Sequence, residues 1–316
     1  MSAIEVSGLS KSFGELQAVR DLSFAVQPGE IFSLLGPNGA GKTTTLAMLS
    51  CLMRPDAGDA AVMGHSIRSD PQGVKALLGV VPQEIALYED LTARENLTFW
   101  GKMYGLRGAA LRQRVGELLA LIELEDRANE RIEKYSGGMK RRVNIAVALL
   151  HRPQVIYMDE PTVGIDPQSR RRILDNVIEL KQSGMTVLYT THYMEEAQEI
   201  SDRIAIMDHG ELMACGTHAE LVHLVGELDR LTLTVGELTL GAETERILSA
   251  CRSVEGVQQA EAQDGGVTLL VQDSRQALPA VFDNLARLGV RISGVQMQTP
   301  DLETVFLHLT GRALRD

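Results

Sequence analysis

Gly36-Pro37-Asn38-Gly39-Ala40-Gly41-Lys42-Thr43-Thr44 matches the phosphate-loop pattern G-x-x-x-x-G-K-[ST], with Gly36, Gly41, Lys42 and Thr43 at its fixed positions. A run of phosphates is held by several backbone N–H groups aimed inward, and glycine lets the chain turn tightly enough to aim them. Lys42 brings a compact positive charge for the outer phosphates, and Thr43 a hydroxyl for Mg²⁺. The residues before the loop, Glu30 to Leu35, read as a buried strand; those after it, Thr44 to Met53, read as a helix whose N-terminus faces the anion. A plain glycine-rich turn would not need that strand–loop–helix setting. The glycines are also not spaced as G-x-G-x-x-G, which excludes a dinucleotide fingerprint.

A loop of this kind specifies a nucleotide but not a machine. Further along come Gln83 in Val80-Val81-Pro82-Gln83-Glu84 and Tyr135-Ser136-Gly137-Gly138-Met139-Lys140. Val155-Ile156-Tyr157-Met158-Asp159-Glu160, Gly164-Ile165-Asp166 and His192 follow. In this order the motifs resemble those of the ATP-binding cassette (ABC) ATPases: Q-loop, signature loop, Walker B strand with its glutamate, D-loop and switch histidine. The resemblance covers roughly the first 215 residues. It implies a P-loop α/β cassette with a mixed sheet core, an antiparallel β subdomain and an α-helical subdomain. It further implies ATP and Mg²⁺ as cofactors and ATP hydrolysis as the reaction. Phe13 stands where the family stacks an aromatic ring on adenine; Pro37, Asn38, Gly39, Ala40 and Thr44 complete the nucleotide loop. Thr43, Asp159 and Gln83 would attend the metal, with Glu160 and His192 handling the attacking water.

The residues also read on their own terms. Val155 to Met158 is an apolar run suited to a strand buried on both faces, and it delivers Asp159 and Glu160 at its C-terminal end. Successive strand residues point opposite ways, so the two carboxylates can divide the work. Ser136 is a natural N-cap for a helix running through Val143, Ala146, Val147 and Leu150, and an uncovered helix N-terminus with two glycines is a second anion site. In the resembled family the signature residues, here Tyr135, Ser136, Gly137, Gly138 and Met139, meet the γ-phosphate held by the opposite subunit. Two chains must then pair head to tail, and with both motif sets intact a homodimer is expected. The family's usual leucine and glutamine are replaced by Tyr135 and Met139, and Tyr-Ser-Gly-Gly-Met resembles the drug-resistance and multidrug exporter branch.

Composition bounds the rest. The net charge is −11, and the short basic runs Lys140-Arg141-Arg142 and Arg170-Arg171-Arg172 read as solvated helix faces, so no nucleic-acid partner is expected. No stretch approaches the roughly 20 apolar residues that span a bilayer. The N-terminus lacks a secretion signal, and three scattered cysteines suit a reducing cytosol. Transport would therefore require a separate integral membrane permease, with this chain peripheral on the inner face of the membrane. Leu87, Tyr88 and Trp100, just after Gln83, lie where the family docks the permease's coupling helix.

The sequence divides into an ATPase domain, 1–222, and a small α+β accessory or regulatory domain, 223–316. In the second, strands are expected at 231–235, 254–260, 267–271 and 290–297, and helices at 243–251 and 274–288. Asp264-Gly265-Gly266 signals a hairpin and Thr299-Pro300 caps a last helix. The tail from Thr299 to Leu307 resembles that of the same exporter branch. Two alternatives remain. A soluble ABC ATPase of the ribosome or DNA would carry tandem cassettes, coiled-coil arms or zinc-binding cysteines, which this sequence lacks. An importer subunit shares every catalytic motif; Tyr135, Met139 and the tail argue against it.

Overall fold

In the computed structural model, which describes residues 2–224, 228–235, 242–263, 265–298 and 301–310, the chain opens with two long strands. These are β1 (Ile4–Phe13) and β2 (Leu16–Val26), paired antiparallel. Both run further than the alternation at residues 4–6 and 22–26 suggests, because register shifts between Val6 and Ser12 let them pair through irregular sequence. Next come β3 (Ile31–Leu35), α1 (Lys42–Leu49), β4 (Ala57–Val62), β5 (His65–Ser66), α2 (Pro71–Leu77) and β6 (Leu78–Val81). The helix α1 starts two residues earlier than expected, directly on left-handed Gly41. It ends before Met53, where Cys51 turns at φ 56°.

The helical insertion holds α3 (Ala93–Met103) and α4 (Gly108–Leu121), and α5 (Gly137–Ala148) follows it. Thr92 caps α3 in a reciprocal capping box with Glu95. The strand β7 (Val155–Asp159), α6 (Pro167–Gln182), β8 (Thr186–Thr191), α7 (Met194–Ile200), β9 (Arg203–Asp208) and β10 (Glu211–Gly216) complete this part. Its central sheet has the order β10-β9-β3-β8-β7-β6, parallel from β9 to β6, with β10 antiparallel on the edge. All residues of β3, β7 and β8 are buried, as strands covered on both faces require. A second sheet, β2-β1-β4-β5, is antiparallel. No helix among the described residues is long and apolar enough to cross a membrane.

The chain separates into two compact units, the first reaching His218 and the second beginning at Ala219. A short helix, α8 (His218–His223), lies at the change. The second unit contains β11 (Asp229–Thr234), α9 (Ala242–Arg252), β12 (Val257–Gln263), β13 (Gly266–Val271), α10 (Ser274–Arg287), β14 (Gly294–Gln298) and α11 (Leu302–Thr310). Its antiparallel sheet has the order β12-β13-β11-β14, the split βαβ arrangement of ferredoxin-like domains. Leu231, Leu233, Ile247, Leu269, Val281 and Leu285 form its core. Two expected strands begin late. Gly256 turns at φ 87° before β12, and Val290 and Ile292 pack on the core as irregular chain before β14 pairs. Asp264 of the expected hairpin turn and the expected Thr299-Pro300 cap lie outside the described residues.

Candidate functional site

The parallel strands β3, β7 and β8 lie side by side and end together, so each delivers its next residues to one edge of the sheet. After β3 comes the glycine loop. Gly41 sits at φ 100°, and a Cβ there would lie 2.4 Å from the carbonyl of Ala18, so only glycine fits both the backbone and the space. Lys42 is buried at the start of α1. Its Nζ donates to the carbonyls of Gly36 (2.6 Å) and Pro37 (3.0 Å) and pairs with Glu160 Oε1 at 3.0 Å.

After β7 the chain departs from the simple alternation expected at 159–160. Asp159 ends the strand, but Glu160 lies beyond it at φ 43°. Thr190 of β8, absent from the sequence-based set, holds both. Its hydroxyl donates to Asp159 Oδ1 (2.6 Å), and it accepts from the backbone N–H of Glu160 (3.0 Å). After β8 comes His192, whose Nδ1 lies 3.3 Å from Glu160 Oε2, close but not aligned for a hydrogen bond. Lys42, Glu160 and His192 thus form a chain of contacts in which every member is at least nine-tenths buried. The adjoining cavity, about 350 Å³, is lined by the glycine loop, Gln83, Glu160 and Phe13. Phe13 is 47% exposed, with Lys11 Nζ over its ring 5.8 Å from the centroid, and Thr43 and Gln83 are exposed too.

A third carboxylate, which sequence reading passed over, organises the switch side. Glu196 Oε2 accepts from Thr162, Tyr189 and Thr191 hydroxyls at 2.9, 2.9 and 3.0 Å, and its Oε1 lies 3.5 Å from Arg170. Thr162 follows Glu160 and Thr191 precedes His192, so one buried anion ties the two turns together. Its sequence signal was weak, because Met-Glu-Glu-Ala-Gln looks like an ordinary exposed helix.

The signature segment opens α5. Ser136 caps α5, its Oγ accepting from Met139 N–H at 3.3 Å. Tyr135 and Met139 are both buried and both meet Arg127: Tyr135 OH donates to the Arg127 carbonyl (2.6 Å), and Arg127 Nη1 lies 3.4 Å from Met139 Sδ. Tyr135→Phe removes that hydrogen bond at a cost of about 1 kcal/mol. In thermal unfolding followed by calorimetry the expected fall in Tm is about 2–4 °C; an unchanged Tm would show the bond contributes nothing net. Gly138 packs against Ser169, where a Cβ would come within 2.2 Å of the serine side chain; Gly137 meets only Ile165, at 3.5 Å. Asp166 caps α6 by accepting from Ser169 N–H (2.9 Å), and this bond holds its carboxyl below the usual range.

The first basic run is not the solvated face expected, whereas in the second Arg171 and Arg172 are exposed as expected. Arg141 is 3% exposed, Arg142 donates to the Ile122 carbonyl, and Lys140 pairs with Glu89. Arg170 stacks over Tyr193 at 4.4 Å, and Arg171 and Arg172 pair with Glu199 and Glu123. Carbonyls and carboxylates within reach, invisible to local sequence, claim these charges.

The sequence profile described as "ABC transporter" matches residues 19–163. The chain is 43% identical to the linearmycin resistance ATP-binding protein LnrL of Bacillus subtilis (strain 168), covering 99% of this chain and all of that protein. It is 38% identical to the daunorubicin/doxorubicin resistance ATP-binding protein DrrA of Streptomyces peucetius, covering 99% and 94%. Among solved structures, a dimeric ATP-binding cassette in a post-hydrolysis state with ADP and Pi superposes with a TM-score of 0.61 at 29% identity, covering 68% of this chain and 98% of that one.

Proposed function

Because the chain belongs to the ATP-binding subunits of ABC transporters, we propose that it is the ATP-hydrolysing subunit of an exporter, driving a separate membrane permease. The observation that carries the reading is the buried contact chain from Lys42 through Glu160 to His192, beside Asp159 and at the mouth of the glycine loop. Relatives that confer resistance to linearmycin and to daunorubicin and doxorubicin favour export over import, as do Tyr135 and Met139.

The geometry supports the following roles. Phe13 offers its ring to the base, and the loop from Gly36 to Thr44 receives the phosphates. Lys42 exchanges loop carbonyls and Glu160 for phosphate oxygens, which frees the Glu160 carboxylate to take the proton of an attacking water. His192, 3.3 Å from that carboxylate, orients the water and meets the γ-phosphate. Mg²⁺ suits the donors here, which are hard oxygens only: the Thr43 hydroxyl, the Asp159 carboxylate and the Gln83 amide. Such a set leaves room for water and phosphate ligands, and when bound the ion neutralises charge developing on the β- and γ-oxygens. Thr190, bonded to Asp159 Oδ1 at 2.6 Å, keeps the carboxylate turned to that duty.

Two copies of the chain pair head to tail, so that Ser136, Gly137 and Gly138 of each face the γ-phosphate of the other. The permease docks near Tyr88, Phe99 and Trp100, whose rings cluster with centroids 5.0–6.3 Å apart while Tyr88 stays half exposed. The accessory unit regulates or extends the dimer contact. The subunit works at the inner face of the membrane through that permease.

Lys42→Ala tests the nucleotide site. It removes the charge matched to the phosphates and strands Glu160, so MgATP affinity by calorimetry is expected to fall about 100-fold, the worth of a buried charge-assisted contact of about 3 kcal/mol. An unchanged affinity sinks the phosphate-loop assignment. Co-purification from membranes with mass-spectrometric identification tests the exporter reading; recovery with an importer-type permease and a substrate-binding protein would overturn it.

A further inference from the structure

Arg141, read from the sequence as part of a solvated basic run, is 3% exposed and turns away from solvent. Its Nη1 donates to the carbonyl of Pro82 at 2.6 Å and its Nη2 to the carbonyl of Gln83 at 2.5 Å. Its Nε has no hydrogen-bond partner. One turn along α5, Asn144 Nδ2 lies 3.5 Å from the carbonyl of Glu84. A guanidinium taken out of water to meet two neutral carbonyls carries a desolvation cost that an apolar side chain of similar volume would avoid. What it supplies is geometry: a rigid fork spanning two consecutive carbonyls, which a lysine ammonium cannot span.

We propose that Arg141 is the positioning residue that sets Gln83 by the signature helix, joining the loop that attends one nucleotide's metal to the helix end that attends the other nucleotide. The proposal rests on the roles given above to Gln83 and Ser136. Arg141 and Ser136 belong to the same rigid helix, α5, with Ser136 as its cap and Arg141 in its second turn. A shift of α5 on meeting a second copy therefore drags the backbone at 82–83, and the Gln83 side chain with it. Arg141 touches neither substrate nor metal; it holds Gln83 by the backbone, and its charge also acts on Asp159, an interaction that Arg141→Lys keeps.

The test uses Arg141→Lys, Gln83→Ala and the double variant in the full chain. Lysine keeps a buried cation but loses the fork. For Arg141→Lys, ATP affinity without metal is expected to stay within about twofold, since no nucleotide contact changes. Mn²⁺ binding in the presence of a non-hydrolysable ATP analogue, followed by electron paramagnetic resonance, should weaken about five- to tenfold, as it does for Gln83→Ala. Turnover should fall in parallel. The double variant should be no worse than Gln83→Ala alone, because both changes disable one ligand. Wild-type Mn²⁺ affinity in Arg141→Lys beside a weakened Gln83→Ala overturns the positioning role alone; so do losses that multiply in the double variant. Unaltered Mn²⁺ binding in Gln83→Ala overturns the metal role of Gln83, and the proposal falls with it. Failure of Arg141→Lys to fold assigns the residue to the core and overturns the proposal equally.

Discussion

Glu160→Gln is expected to bind MgATP as the unaltered protein does and to lose about 10²–10⁴-fold in turnover, the worth of a positioned general base. The substitution is close to isosteric at a site that is 5% exposed, so the packing around it survives. The amide oxygen can still accept from Lys42, which lies 3.0 Å from Oε1, and the backbone N–H at 160 keeps its bond to Thr190. Asp159, held separately by the Thr190 hydroxyl, keeps its place at the metal. What is lost is the carboxylate that takes the water's proton. With hydrolysis blocked and binding intact, the ATP-bound dimer should accumulate and be visible by light scattering. Hydrolysis at the original rate would move the base elsewhere.

Gly137→Asp should leave ATP binding by the isolated subunit intact and abolish hydrolysis, because it sets a carboxylate beside a phosphate held by the other copy. Where water is excluded, such a like-charge contact costs on the order of several kcal/mol, enough to remove 10²-fold or more of the closed dimer. Position 137 is the right one. A side chain at Gly138 would strike Ser169 within its own chain, whereas at Gly137 the nearest contact is Ile165 at 3.5 Å. Mixing Gly137→Asp chains with Lys42→Ala chains makes the test strict. In the mixed dimer both defects fall in one composite site and the other site is whole, so part of the activity should return. No recovery would mean either that both sites are needed or that each chain works alone. Lost ATP binding in the Gly137→Asp subunit would be decisive, since the loop would then serve its own chain's nucleotide.

The nucleotide-site residues and the residues that hold them in place differ in how far local sequence marks them. Gly36, Lys42, Asp159 and Glu160 could be named from sequence because phosphate chemistry dictates both residue type and position after a strand, and His192 only through the family resemblance. Thr190, Glu196 and Arg141 could not. Each acts through a partner 31, 34 or 59 positions away, and each sits in a stretch whose local pattern is unremarkable for a strand or a helix. A threonine in a β-branched strand or an arginine among arginines carries no mark of its partner.

By itself the sequence determined the order of elements in the cassette, the glycine loop, the capped signature helix and the apolar strands. These depend on local rules: backbone freedom at glycine, side-chain caps, and periodic burial. Only the tertiary structure decided that Glu160 leaves its strand at a positive φ to stand between Lys42 and His192. It alone put the charge of Arg141 on the carbonyls of Pro82 and Gln83 and turned Tyr135 and Met139 inward toward Arg127. A buried charge goes to whichever acceptor the packed chain brings within about 3 Å, and that distance is set by how strands and helices stack, not by the residues on either side.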